Sequence, residues 1–184
     1  MSEYEFAVEN IVVSANFYER VPLEELLEVS ENVEYEPEQF PGAIYRIEGM
    51  PMTALIFSSG KIICTGAKDM DMVKQAVEKV RKLLRKAGVR TKDDYELKIE
   101  NIVASAKFPH RINLDELAYN LEMAEYEPEQ FPGLVYKDEE FNTAFLIFSS
   151  GKIICTGARE PKEAKKAVKK LYEILYKLKV FEEG

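Results

Sequence analysis

Thiols and imidazoles are scarce in this chain of 184 residues, which has two cysteines and one histidine. Cys64 and Cys155 stand 91 positions apart, and His110 sits where the residue 91 positions earlier is Glu19. Such a set cannot supply a repeated four-ligand zinc site, and a disulfide is not expected in a reducing compartment. The two thiols read as small, half-buried strand residues and His110 as a surface loop residue. No metal and no cofactor is expected. Because no nucleophile, base and orienting group converge, neither is an enzyme. No apolar run is long enough to span a bilayer, so no membrane partner is expected. The opening Met1-Ser2-Glu3-Tyr4-Glu5 is acidic and lacks the apolar core of a secretion signal, which leaves the cytoplasm as the expected compartment. Basic residues are outnumbered 25 to 33, for a net charge of −8. That balance ordinarily speaks against a nucleic-acid partner.

What the chain does have is repetition. Phe57-Ser58-Ser59-Gly60-Lys61-Ile62-Ile63-Cys64-Thr65-Gly66-Ala67 returns unchanged as Phe148 to Ala158. The same offset carries Glu9-Asn10-Ile11-Val12 onto Glu100-Asn101-Ile102-Val103, and Tyr35-Glu36-Pro37-Glu38-Gln39-Phe40-Pro41-Gly42 onto Tyr126 to Gly133. Aligning residues 4–93 with 95–184 gives 45 identities in 90 positions without a gap. Two repeats, 1–93 and 94–184, follow, related by a pseudo-twofold axis, and each site should occur twice. A repeat of this size buries only a modest core, so the two are expected to share one continuous sheet. The basic residues are unevenly spread, 17 of the 25 falling in segments 68–92 and 159–183. The positions of the other eight are therefore informative.

Asn10 to Ala15 is β-branched and alternating, which predicts a strand with Asn10, Val12 and Ser14 on one face. Val21 to Leu27 predicts a short amphipathic helix, and Asn113 is the N-cap of its copy. Strands follow at Val33–Glu36, Ala43–Ile47, Thr53–Phe57 and Lys61–Ala67, with a proline-rich turn that carries Phe40 at its tip. Met70 to Ala87 closes the repeat as a longer helix with Val73, Ala76, Val77, Val80, Leu83 and Leu84 at helical spacing, stopped by Gly88. Each half is thus β-α-β-β-β-β-α.

Strand parity then divides the repeated motif. Ile62 and Cys64 form one apolar face, the natural bed for the long helix, while Lys61, Ile63 and Thr65 look away. Val12, Leu55, Phe57 and Ile63, with Val103, Leu146, Phe148 and Ile154, would make an uncovered apolar patch where a solvated sheet carries Lys, Glu and Thr. Two covers compete for it, a protein layer or a ligand. Arg46 and Lys61, with their copies Lys137 and Lys152, rim the patch and are four of the eight basic residues outside the helical segments. Glutamate reads as nearly missing from the face.

The Glu-Asn-Ile-Val, Glu-Pro-Glu-Gln-Phe-Pro-Gly and Phe-Ser-Ser-Gly-Lys-Ile-Ile-Cys-Thr-Gly-Ala motifs, in order and twice over, resemble the TATA-box-binding protein family across almost the whole chain. The short N-terminus, the acidic balance and the Glu182-Glu183 tail look like its archaeal branch. The resemblance implies an α+β fold, a pseudo-twofold saddle in which a ten-stranded curved antiparallel sheet carries four helices on its convex face. It also implies a general transcription initiation factor that binds the minor groove of an A·T-rich TATA element in double-stranded DNA, kinks it with phenylalanines and recruits transcription factor B and, indirectly, RNA polymerase at the archaeal nucleoid. A bend of about 80° goes with that family and enters only through the resemblance.

Carried over by position, the wedges fall on Phe40, Phe57, Phe131 and Phe148, supported by Pro41 and Pro132. The central base contacts fall on Asn10 and Asn101, beside Val12, Val103, Thr65 and Thr156. The groove floor falls on Leu55, Ile63, Leu146 and Ile154. Phosphate contacts fall on Arg46, Lys61, Lys137 and Lys152, with Ser59 and Ser150. Glu127, Glu129 and Gln130 match the loop that receives transcription factor B. The sequence departs from eukaryotic relatives at Glu38, where lysine is common, and in its acidity, which implies a shallow salt dependence. The alternative reading is a symmetric protein-binding or dimerising module that buries the apolar face, as in a weak homodimer off DNA.

Overall fold

The computed structural model describes residues 4–182, so Glu183 of the acidic tail lies outside the described residues. In chain order the first elements are β1 (Glu5–Asn16), α1 (Leu23–Val29), β2 (Val33–Glu34), β3 (Ala43–Arg46), β4 (Thr53–Ile56), β5 (Lys61–Ala67) and α2 (Met70–Lys86). They are followed by β6 (Glu96–Lys107), β7 (Arg111–Ile112), α3 (Leu114–Asn120), β8 (Ala124–Glu125), β9 (Leu134–Asp138), β10 (Thr143–Ile147), β11 (Lys152–Ala158), α4 (Pro161–Leu178) and β12 (Phe181–Glu182). The hydrogen-bonded order is β2-β3-β4-β5-β1-β6-β11-β10-β9-β8, a ten-stranded antiparallel sheet, with β12 and β7 as a separate small pair. The four helices and ten strands agree with the fold expected from the sequence.

The chain divides into two compact units. One is Asn10–Glu100; the other takes the residues up to Glu9 together with those from Asn101 onward. The cut passes through β1 and β6, so the first residues of each long strand belong to the unit of the other repeat. Both strands run 12 residues, twice the length read from the sequence, because Glu5 to Glu9 and Glu96 to Glu100 continue the alternation with glutamates in place of β-branched residues.

Within the first unit, α2 packs on β5 and α1. Asp69 caps it by accepting from the Met72 amide at 2.8 Å, and Val73, Ala76, Val77, Val80, Leu83 and Leu84 are its buried stripe. The sheet answers with Ile11, Val13, Ala54, Ile56, Ile62 and Cys64, all essentially inaccessible to solvent. Burying a side chain of this kind contributes about 1.5–3 kcal/mol. In the second unit α4 packs on β11 and α3, burying Ala164, Ala167, Val168, Leu171 and Leu175. Lys179 takes the left-handed backbone at its C-cap (φ 57), at the position where the first repeat has Gly88 (φ 86). The cysteines are fully buried, not half-buried, on the helix side, and desolvation pushes both thiols up to about 12.

Candidate nucleic-acid interface

In the first unit, the sheet face turned away from α2 is laid out by register. Glu34, Ile44, Leu55, Ile63 and Ser14 follow one another across β2, β3, β4, β5 and β1, and Arg46, Thr53 and Thr65 form the next row. Val12, Ile44, Leu55 and Ile63 are half-buried in the free protein, and Lys61 and Arg46 are exposed. In the second unit the corresponding rows are Glu125, Val135, Leu146, Ile154 and Ser105, then Lys137, Ala144, Thr156 and Val103. Ile44 and Val135 extend the apolar floor. Sequence reading missed them, although both alternate with a buried neighbour and so carry the parity signal that revealed Leu55.

The centre of each row is polar and tightly held. Register shifts between Ile11 and Val13 against β5, and a bulge there puts Gly66 at φ 109. The Gly66 amide donates to Asn10 Oδ1 at 2.7 Å, and Asn10 Nδ2 donates to Thr65 Oγ1 at 3.0 Å. Asn101, Gly157 and Thr156 repeat both bonds at the same distances. With Oδ1 engaged by backbone, the amide cannot flip, and one Nδ2 hydrogen is left to donate outward. A side chain on Gly66 would be strained by φ and would come within 2.7 Å of the Pro51 carbonyl. That role for Gly66 and Gly157 was not legible in the motif.

At the edge of each face two rings meet. Phe40 and Phe57 stand 5.8 Å apart edge to face, as do Phe131 and Phe148. Phe40 rides a turn in which its amide donates to Glu36 O at 3.0 Å, and Phe57 begins a turn in which the Gly60 amide donates to Phe57 O at 3.0 Å. Pro41 and Pro132 are exposed beside them, as are Ser59 and Ser150 in the turns that follow the second phenylalanines. Gly42 and Gly133 let the rings close: a Cβ on Gly42 would stand 2.9 Å from Phe40 Cε2 and 3.0 Å from Phe57 Cε1. Phe131 is 40% exposed, while Phe40, Phe57 and Phe148 are half-buried.

The face is less free of acid than the sequence suggests. Arg46 is bridged to Glu34 at 2.8 Å, both side chains being largely exposed. Lys61 lines a cleft of about 170 Å³ with Ser14, Glu96, Lys98 and Glu100, and Lys152 one of about 390 Å³ with Glu5, Glu9 and Lys107. In that second cleft Ser105 donates to Glu9 at 2.8 Å. These glutamates come from the parts of β1 and β6 that the sequence pattern left outside the strands. Glu127, Glu129 and Gln130 lie exposed on the turn before Phe131, where the Gln130 amide donates to Glu127 O at 2.9 Å. His110 is exposed, its ring 6.0 Å from that of Phe181.

Chemically, each face offers a fixed amide donor set among methyl groups, a flat aliphatic floor, flanking cations and a pair of aromatic rings at its end. Such a surface suits a partner with hydrogen-bond acceptors at its centre, apolar edges beside them and anions outside. Among the described residues no group of three or more His, Cys, Asp or Glu could hold a metal ion, and no helix is long and apolar enough to cross a membrane.

The family model described as "Transcription factor TFIID (or TATA-binding protein, TBP)" matches the chain twice, at residues 5–87 and 96–178. Among similar proteins, the TATA-box-binding protein of Methanobrevibacter smithii is 43% identical over 178 residues, covering 97% of this chain and 98% of that one. That of Thermococcus kodakarensis is 42% identical over 183 residues, covering 100% and 96%. A solved structure, Methanococcus jannaschii TBP, superimposes with a TM-score of 0.87 at 43% identity, covering 94% of this chain and 99% of that one.

Proposed function

Since the chain belongs to the TATA-binding protein family, a family of transcription factors and not of enzymes, we propose that it is a general transcription initiation factor that binds the minor groove of an A·T-rich TATA element. The observation that carries this reading is the pinned amide. Asn10 and Asn101 each have Oδ1 tied to a backbone amide at 2.7 Å and an Nδ2 hydrogen left over. Adenine N3 and thymine O2 accept such a hydrogen, whereas the guanine amino group would meet the methyls of Val12, Leu55, Val103 and Leu146 and lose its own hydrogen bonds.

Each repeat, 1–93 and 94–184, contributes one copy of the site to the same duplex. Leu55, Ile63, Leu146 and Ile154 lie on the groove floor. Phe40 with Phe57, and Phe131 with Phe148, wedge into base steps and kink the DNA, the unstacking cost being offset by the apolar area then covered. Arg46, Lys61, Lys137 and Lys152, with Ser59 and Ser150, hold phosphates and fix the register. The exposed turn carrying Glu127, Glu129 and Gln130 receives transcription factor B, which brings in RNA polymerase, and the protein works on the nucleoid in the cytoplasm. A gel-shift comparison of an A·T-rich octamer duplex with its scrambled counterpart, with and without transcription factor B, tests this. Preference for the octamer and a supershift lost on Glu127→Arg plus Glu129→Arg are expected; equal affinity for both duplexes would overturn the reading.

A further inference from the structure

Across β2 to β5 and their counterparts β8 to β11, the open-face residues are the same in the two repeats at all but three places. Ile44 becomes Val135, Arg46 becomes Lys137 and Thr53 becomes Ala144. The first change alters the floor by a methylene and brings neither a donor nor an acceptor. The second alters a cation: Arg46 is bridged to Glu34 at 2.8 Å, whereas Lys137 has no carboxylate partner among the described residues. Cations of this kind hold phosphates, which position a duplex without reading its sequence. Only the third change puts hydrogen-bonding chemistry on one repeat and not on the other.

Thr53 is half-buried and alternates along β4 with buried Ala54 and Ile56, so it shares the open face with Leu55. By register it stands between Arg46 and Thr65, one strand spacing, about 4.8 Å, from each. The Thr65 hydroxyl is committed to Asn10, accepting from Nδ2 at 3.0 Å and donating to Oδ1 at 3.3 Å. The Thr53 hydroxyl has no hydrogen-bond partner among the described residues. In the second repeat Ala144 is likewise half-buried, between Lys137 and Thr156, and offers only a methyl. One half-site thus carries an uncommitted hydroxyl beside its central amide, and the other does not.

We propose that the Thr53 and Ala144 pair makes the two half-sites unequal readers of sequence and so sets the orientation of this protein on a near-symmetric A·T-rich element. The proposal rests on the minor-groove reading above. A hydroxyl has one donor and two acceptor lone pairs, so Thr53 accepts from a guanine amino group as well as it donates to adenine N3 or thymine O2. Under Ala144 the same amino group is desolvated against a methyl and left unpaired, a loss of about 5- to 150-fold in affinity. The first repeat therefore tolerates a G·C pair at the step beneath Thr53, and the second rejects it at the equivalent step. On an element with one such pair the protein turns so that Thr53 covers it.

The test uses the self-complementary duplex TATATATA, whose halves are identical, and a series in which a single G·C pair is moved through the positions of one half. A dye on Lys166→Cys, an exposed position of α4, reports by energy transfer to either duplex end which way the second repeat lies; both native cysteines are buried and stay unlabelled. Equal orientations are expected on TATATATA. At one position of the series the dye should lie at the end remote from the G·C pair, with a bias of at least about fivefold. Thr53→Val, which removes the hydroxyl at nearly constant shape, should abolish the bias, Thr53→Ser should retain it, and Thr53→Ala plus Ala144→Thr should reverse it. Thermal melts verify that the variants fold. Equal orientations throughout the series, loss of binding at every substituted position, or a bias that survives Thr53→Val would overturn the proposal and leave the A·T preference standing. Failure to bind TATATATA itself would overturn the functional reading and the proposal together.

Discussion

Replacing Asn10 with aspartate changes one NH₂ for one oxygen and separates the two tasks of this side chain. In the native protein Oδ1 accepts from the Gly66 amide at 2.7 Å, and Nδ2 donates to Thr65 Oγ1 at 3.0 Å. The carboxylate keeps the first bond, and the Thr65 hydroxyl can turn its hydrogen to restore the second, so the bulge stays closed. What is lost is the outward donor, and a negative charge now faces the acceptors of the groove. Leaving the buried acceptor of the groove without its donor costs about 1–3 kcal/mol, which is roughly a 5- to 150-fold loss of affinity for an A·T-rich duplex. The alanine variant instead orphans the Gly66 amide at a cost of about 1–3 kcal/mol, or roughly 2–4 °C of Tm per kcal/mol for a chain of this size. Anisotropy titrations and thermal melts of Asn10→Asp and Asn10→Ala therefore should diverge: Asp fails in binding with its Tm nearly intact, and Ala falls in both. Native-like binding by Asn10→Asp, or a Tm as low as that of the alanine variant, would refute the pinned-donor account.

Glu34→Gln removes the negative charge that pairs with Arg46 at 2.8 Å and leaves only a neutral acceptor beside it. Duplex affinity should rise a few-fold, and the salt slope, expected from the acidic balance to be shallow in the native protein, should steepen by up to about 0.9 for the released cation; an unchanged slope across a KCl series would count against a phosphate role for Arg46. Cys64 and Cys155 are inaccessible, with thiols raised from 9.0 to about 12, so a disulfide reagent at pH 8 should react with neither until the protein is denatured. Since the folded state holds these protons more tightly than the unfolded one, their contribution to stability is whole below pH 9 and declines as the pH rises toward 12. Alkaline denaturation curves of Cys64→Ala plus Cys155→Ala, flatter than the native ones over that window, would register it.

The repeat, the helix count and the order of elements in the first half were readable because apolar residues fall at periods of 2 and 3.6, whereas the second half adds the two-residue strands β7 and β12 to the expected order. The same parity placed Leu55 and Ile63 opposite Ile62 and Cys64. Three features were not readable. The first halves of β1 and β6 begin and end on glutamate, Glu5 and Glu9 in one and Glu96 and Glu100 in the other, so they look like solvated tails, and with them the acids beside Lys61 and Lys152 escaped notice. The pairing of Phe40 with Phe57 depends on the missing side chain of Gly42, a three-dimensional approach of two turns. The bulge at Gly66 is a register shift between distant strands, and only that shift brings the glycine amide onto Asn10.

The central claim is that paired phenylalanines at the end of each face open a minor groove. Its most direct test is resonance energy transfer between dyes at the two ends of a duplex carrying a TATA octamer, measured on saturation with the native chain and with Phe57→Ala plus Phe148→Ala. A shortened end-to-end distance with the native protein, relaxing toward that of free DNA in a variant whose melting curve stays cooperative, is the predicted result. A duplex that stays straight with the native chain, or bends equally with the variant, would contradict it.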